Sequence, residues 1–301
     1  MKLSLLIVNY NTENYIHDLL LSLLDQTMSK SDFEIIISNN VQNNKLEEMI
    51  ENNSFRDVFN IKMVQIYDNI GFGRATNAAA EIAMAKHLLI INPDILMTDK
   101  KYLDSMYNFI LSNPNYGAIS SKILNDNDRD GCEYYSYEFS ENFGYDNEIC
   151  WFEGSLIFIK EELFKKLKGF DDDFFMYCED VDLCYRIKKQ GLPLIKNSEL
   201  SVYHKGGSSE PNKDYAFYHR WYKSKILFMH KHYTTNQFNS FIKSLQGSLK
   251  IKKIRYIALG VFSKKYKHKV LKTQVMLEII KETIDTSASC LYYSHMTTKM
   301  L

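Results

Sequence analysis

Four apolar runs alternate with helix-patterned segments in the first hundred residues, and each run stops at a cluster of polar residues. LSLLIV (Leu3–Val8) ends at NYNT, FEIII (Phe33–Ile37) at SNN, IKMVQIY (Ile61–Tyr67) at DNIGFGRATN and HLLII (His87–Ile91) at NPD. Between them, Ile16, Leu19, Leu20, Leu23 and Leu24 recur at helical spacing, a polar helix is expected over 45–52, and Ala75, Ala78, Ala79 and Ile82 share a small-residue face. Strands alternating with helices argue for a parallel α/β sheet with right-handed crossovers, and continuously apolar strands fit burial on both faces. Ligands of such sheets lie beyond the carboxyl ends of the strands. Those ends hold most of the Asn, Gly and Asp of this region, which implies a ligand rich in hydrogen-bonding groups, such as a nucleotide. Gly71-x-Gly73 lacks the third glycine of a dinucleotide fingerprint, where Thr76 stands, and follows the third strand, so a nicotinamide site is disfavoured.

Carboxylates are added to the same edge. Asp94 follows Pro93 at the end of an apolar strand, a position suited either to a hard divalent cation or to an Asx turn or helix N-cap. Residues 112–150 are irregular and polar, Trp151–Lys160 reads as one strand with Gly154 permitting close approach, and a short helix then runs to Gly169. The segment Gly169–Gly191, GFDDDFFMYCEDVDLCYRIKKQG, packs six carboxylates among five aromatic residues. Acids favour the surface and aromatics the core, so the mixture suggests carboxylates held at a pocket mouth by an apolar wall. A helix is expected from Glu179, acidic at its start, basic at its end and followed by Gly191. Asp180, Cys184 and Ile187 share its core-facing stripe, and Asp182 and Arg186 are spaced for a surface ion pair. The helix dipole would keep Asp180 ionised, leaving it able to take a proton from a hydroxyl nucleophile; N-capping alone is the structural alternative. LSVYHKGGSS (Leu200–Ser209) is expected to be a short strand ending at His204 before a flexible loop.

The chain has 301 residues, room for one large domain or a domain with an appendage. Five scattered cysteines without a CxxC pair point to reduced thiols and a cytoplasmic setting, and neither a signal peptide nor a spanning helix is expected. The net charge of zero conceals an asymmetry: residues 216–272 contain 14 Lys and Arg and no Asp or Glu. Such a basic tail, in which YHRWYKSKILFMHKHY and LKIKKIRYIALGVFSKKYKHKVLK mix cations with apolar residues, fits an anionic membrane surface. Packing on the acidic body and a contact in a homo-oligomer remain open, and nucleic acid is disfavoured.

Taken in order, IVNYN, NIGFGRATN, INPD, WFEGSLIFIK, the Gly169–Gly191 segment and VYHKGGSS resemble the family-two glycosyltransferases of the GT-A fold, most nearly their rhamnosyltransferase-like branch, over about residues 1–230. The resemblance implies an α/β catalytic domain over 1–215, with a mostly parallel sheet flanked by helices, and a basic, mainly helical region over 216–301. It implies inverting transfer from a nucleotide-diphospho-sugar, dTDP-rhamnose or a UDP-hexose, to a hydroxyl of a glycan or polyprenyl-linked glycan, in bacterial cell-surface polysaccharide assembly near the inner face of the cytoplasmic membrane. Mg²⁺ or Mn²⁺ on the diphosphate would be bound by Asp94 and His204, and Asp180, or less favourably Glu179, would be the base. Asn9, Asn11, Ser38, Asn39, Asn69, Gly71, Phe72, Asn77 and Asn92 would border the nucleotide. Trp151, Glu153, Gly154, Asp171 and Asp172 would border the sugar and acceptor. Ser38 departs from the family, which places Asp there to hold the base. The competing readings are a non-catalytic sugar-nucleotide-binding module and another α/β nucleotide enzyme.

Overall fold

A computed structural model describes residues 1–137, 141–206, 213–260 and 264–297 of the chain. It divides into two compact units, Met1–Pro211 and Asn212–Leu301. The first is a mixed α/β unit. Its opening strands are β1 (Leu3–Asn9), β2 (Phe33–Asn39), β3 (Ile61–Gln65) and β4 (His87–Ile91), separated by α1 (Glu13–Leu24), α2 (Lys45–Asn52), α3 (Phe55–Val58) and α4 (Phe72–Glu81). Every residue of β1 and β2 is buried, as expected of strands covered on both faces. After β4 come β5 (Ile95–Leu96), α5 (Tyr102–Ser112), β6 (Ala118–Leu124), β7 (Glu133–Tyr134), β8 (Trp151–Phe152), β9 (Leu156–Lys160), α6 (Glu161–Lys166), α7 (Glu179–Lys189) and β10 (Leu194–His204).

The large sheet runs β3-β2-β1-β4-β9-β6-β10-β5. β3, β2, β1 and β4 are parallel, as are β6 and β10, whereas β9 lies antiparallel between β4 and β6. The start of β9 therefore shares an edge with the ends of β4, β6 and β10. β7 and β8 form a separate two-stranded ribbon.

Three expectations change. The stretch 112–150 contains the buried strand β6, hidden by Ser120 and Ser121. Ser120 Oγ donates to Leu156 O at 2.7 Å, and Ser121 Oγ is 2.7 Å from Tyr102 Oη, so both buried hydroxyls are satisfied. Trp151–Lys160 is two strands broken by a turn at 153–155. β10 begins at Leu194, not Leu200, and is irregular between Asn197 and Ser201; residues 207–209 of the expected Gly-Gly-Ser-Ser loop lie outside the described residues.

The acidic-aromatic segment closes onto α4 through Gly71. Phe72 N–H donates to Phe175 O at 3.2 Å. Gly71 has φ +92, and a Cβ there would lie 2.0 Å from Phe175 O. Gly71→Ala is thus expected to destabilise the protein by about 2–4 kcal/mol, since both the conformation and the clash with backbone penalise it. Urea unfolding measures this, and an unchanged midpoint would refute the contact.

The second unit comprises α8 (Tyr215–His232), α9 (Thr235–Gly260) and α10 (Lys264–Thr297), with α10 packed on both others. Asp214 caps α8 by accepting from Phe217 N–H at 2.9 Å. No helix among the described residues is long and apolar enough to cross a membrane.

Candidate active site

The carboxyl edge of the sheet brings Asp94 against His204. β5 pairs antiparallel with the end of β10, setting Ile95 opposite His204, so the residue before Ile95 meets the imidazole. Asp94 Oδ1 lies 3.2 Å from His204 Nε2, and Asp94 is 4% exposed. The other imidazole nitrogen, Nδ1, is 3.5 Å from Glu153 Oε1. Burial opposes charge on His204, but its hydrogen bond to Asp94 and the nearby charges of Asp94 and Glu153 prevail and raise its pKa. Burial, joined by the charge of Asp94 and opposed by His204, raises that of Glu153. The surround therefore favours positive charge. Adjacent ligands of an octahedral Mg²⁺ or Mn²⁺ at about 2.1 Å lie about 3 Å apart, and the spacing of the Asp94 and His204 donor atoms fits this. Among the described residues no group of three or more His, Cys, Asp or Glu is placed to hold a metal ion. A cation on this pair would need most of its oxygen ligands from a bound molecule.

The second component enters on α7. The backbone turns through Tyr177 (φ 71) and Cys178 (φ 64), both left-handed, and so places Glu179 and Asp180 on the first helical turn. Two consecutive non-glycine residues in that region store strain, which collects at functional sites. Asp180 Oδ2 accepts from Gly154 N–H at 2.8 Å, and Oδ1 from Val181 N–H at 2.8 Å. A Cβ on Gly154 would lie 3.1 Å from Asp180 Cβ, so glycine permits this approach. Burial pushes the Asp180 carboxyl up to about 6, against the two backbone donors. Desolvation thus outweighs the stabilising effect of the helix dipole on this carboxylate. Glu179 is 7% exposed, and burial followed by the charge of Asp180 drives it up to about 8. The charge of Asp180 opposes ionisation of Glu179, and the Gly154 and Val181 N–H groups stabilise negative charge on Asp180.

Asp182 and Arg186 also differ from expectation. Their ion pair, 2.6 Å long, is not a surface contact, because Asp182 is fully buried. Arg186 also donates to Leu167 O at 2.8 Å and Gly169 O at 2.9 Å, anchoring α7 to the start of the acidic-aromatic segment.

The Asn-rich strand ends form a hydrogen-bonded belt. Buried Asn9 donates to Asn39 Oδ1 at 2.7 Å and accepts from Thr12 N–H at 3.0 Å; buried Asn39 donates to Gln65 Oε1 at 2.9 Å. Ser38 is fully buried, and its hydroxyl donates to Ala75 O at 2.6 Å. These three side chains join strands and α4 rather than lining an open rim. Asn11, with φ 56, and Asn69 are exposed, and Phe72 is half-buried. Asn40, which sequence reasoning passed over, donates to Asn69 Oδ1 at 2.9 Å and accepts from Ile70 N–H at 3.0 Å, holding the loop before Gly71. Its place in the SNN run was the available signal. Asn92 N–H donates to Ser155 O at 2.9 Å.

Asn77 fastens the acidic-aromatic loop. It donates to Phe170 O at 2.8 Å and Asp172 Oδ1 at 3.2 Å, and accepts from Phe170 N–H at 2.9 Å. Asp171 Oδ1 accepts from Asp173 N–H at 2.9 Å within the same loop. Trp151 stacks on Tyr134 with centroids 3.8 Å apart, and its indole donates to Ser136 O at 2.8 Å. Tyr134, also missed, was signalled by the aromatic run at 134–137. Of the expected residues, the structure thus gathers Asp94, His204, Glu153, Gly154, Asp180 and Asn92 around one turn, and joins Asn77 and Asp172 in a second group.

The chain is similar to known proteins in sequence and fold. The sequence model of Glycosyl transferase family 2 matches residues 4–184. Rhamnosyltransferase WbbL of Escherichia coli (strain K12) is 24% identical over 217 residues, covering 63% of this chain and 78% of WbbL. The solved mannosyltransferase PcManGT of Pyrobaculum calidifontis, in complex with GDP-Man and Mn²⁺, has a TM-score of 0.60 at 14% identity, covering 94% of this chain and 87% of that one. TarS 1–349 of S. aureus has a TM-score of 0.57 at 15% identity, covering 95% and 92%. These structures share the GT-A fold with the chain, which, with the family model matching more than half of its length, belongs to glycosyl transferase family 2.

Proposed function

We propose that this glycosyltransferase is a metal-dependent, inverting enzyme that moves a sugar from a nucleotide-diphospho-sugar, dTDP-rhamnose or a UDP-hexose, to a hydroxyl of a glycan acceptor. One observation carries the reading: the turn at 153–155 links the candidate base to the candidate cation pair. Gly154 N–H holds the Asp180 carboxylate, the Glu153 carboxylate faces His204, and Ser155 O takes the N–H of Asn92 beside Asp94. A base and a cation site tied to one three-residue turn can act on the two sides of a single anomeric carbon.

Asp180 is the base because the Gly154 and Val181 N–H groups hold its carboxylate in place and stabilise its charge, which in turn opposes ionisation of Glu179. Asp180, with a pKa of about 6, suits proton removal from an alcohol near neutrality. It takes the acceptor proton as the hydroxyl oxygen bonds to the anomeric carbon and the bond to the diphosphate breaks. Direct displacement inverts that centre and requires no covalent nucleophile. Mg²⁺ or Mn²⁺ held by Asp94 and His204 would stabilise the charge of the departing diphosphate. Glu153 positions the imidazole through Nδ1, leaving Nε2 directed towards Asp94. With Ser38 turned inward, Asn11 and Asn69 are the exposed polar groups for base and ribose. PcManGT with Mn²⁺ and TarS with UDP support the metal and the nucleotide by analogy.

The test is release of nucleoside diphosphate from a panel of dTDP- and UDP-sugars, with Mn²⁺ and a lipid-linked glycan extract as acceptor. One donor is expected to turn over at least about 10-fold above the blank. Donor binding without turnover of any panel member would overturn the catalytic reading.

A further inference from the structure

The basic helices of the second unit do not all offer the same surface. In α8, Phe217, Tyr218, Tyr222, Ile226, Phe228 and Met229 are buried, so the apolar residues of that run are spent on packing. In α9 the reverse holds. Ile251 and Ile254 are each 71% exposed and Ile257 is 53% exposed, whereas Phe238, Ile242 and Leu249 on the other side are buried. At about 100° per residue the three isoleucines span one sector of about 120°. Lys243, Gly247, Lys250 and Ala258 fall within that sector, and Arg255 lies at its margin. All five named residues besides the isoleucines are exposed. α9 has five Lys and Arg and no Asp or Glu. Lys253 is half-buried and its charge acts on Glu278 of α10, which places it towards the packed side.

We propose that this face of α9 docks on an anionic lipid bilayer, lying in the headgroup layer with Ile251, Ile254 and Ile257 below it and Lys243, Lys250 and Arg255 on the lipid phosphates. Charge complementarity selects this occupant. A polar aqueous face needs no isoleucine stripe, while a twofold contact of this face with itself would bring two cationic surfaces together with no acid on α9 to pair them. Isoleucines flanked by unmixed cations, on a helix too charged to span, match an interfacial helix. The proposal does not depend on the catalytic assignment above. It gives the second unit a function of its own: holding the enzyme at a surface.

Co-sedimentation of the full chain with phosphatidylcholine vesicles, with and without phosphatidylglycerol at about 30%, tests it. Binding is expected only with the anionic lipid and should fall steeply up to about 0.5 M salt. Changing Ile251, Ile254 and Ile257 together to Ser should weaken partition by about 30-fold or more. Changing Lys243, Lys250 and Arg255 together to Ser should weaken it by about 100-fold. All six positions are exposed, and circular dichroism checks that the variants fold. Three results would overturn the proposal: no vesicle binding by the wild type; binding unaffected by the isoleucine changes, including binding that duplex DNA displaces; or loss of a self-associated species, in place of vesicle binding, in the isoleucine variant.

Discussion

Asp180→Asn is expected to lower turnover by about 10²–10⁴-fold while leaving nucleotide binding nearly unchanged. The amide keeps the size of the side chain but cannot take the acceptor proton. It can still accept the Gly154 N–H through its oxygen, so the 153–155 turn should hold its place. The pH profile separates this role from a merely structural one. In the wild type the rate should rise with pH through about 6, because the carboxyl must lose its proton before it can act as a base. Below that value the protonated acid cannot accept another proton, and activity falls. The variant should lose that ascending limb along with the rate. A stopped assay of nucleoside diphosphate release across pH, with calorimetry for the nucleotide, measures both parts. Near-wild-type turnover with the limb intact would move the base elsewhere.

Asp94→Asn is expected to lower kcat/KM by about 10²–10³-fold, and excess chelator should abolish activity in the wild type. Asparagine retains one oxygen at the same position but removes the negative charge that attracts the cation. The donor pair is small, so cation affinity should be weak without nucleotide and should strengthen when diphosphate oxygens add ligands. Titration of Mn²⁺ by electron paramagnetic resonance, with and without nucleoside diphosphate, reads this directly. The variant should bind less Mn²⁺ in the ternary mixture. Full activity in excess chelator would exclude this use of Asp94 and His204.

The first four strands and their polar ends are legible in the sequence because each is a local apolar run. β6 was hidden because Ser120 and Ser121 interrupt the pattern, and only their partners Leu156 and Tyr102, far along the chain, make them tolerable in the interior. The antiparallel insertion of β9 was equally out of reach, since strand neighbours are set by non-local pairing. At the site, Asp94, Asp180 and His204 are recognisable by residue type and by position at element ends. The inward turn of Ser38 and the raised pKa of Asp180 are not. The first follows from packing against α4 and the second from burial, neither of which is local in the chain.

The direction of β9 has a consequence for how such a protein diversifies. β6 ends and β9 begins at the same edge of the sheet, so the excursion between them departs from that edge and returns to it. Insertions before Trp151 can lengthen or reshape this excursion without shifting the register of any strand in the large sheet. Asp94 and His204 are fixed by β5 and β10, outside the excursion. On the proposed reading, a lineage can revise the surface between β6 and β8 while inheriting Asp94 and His204 unchanged, and chimaeras exchanged within 125–150 test whether that surface selects the acceptor.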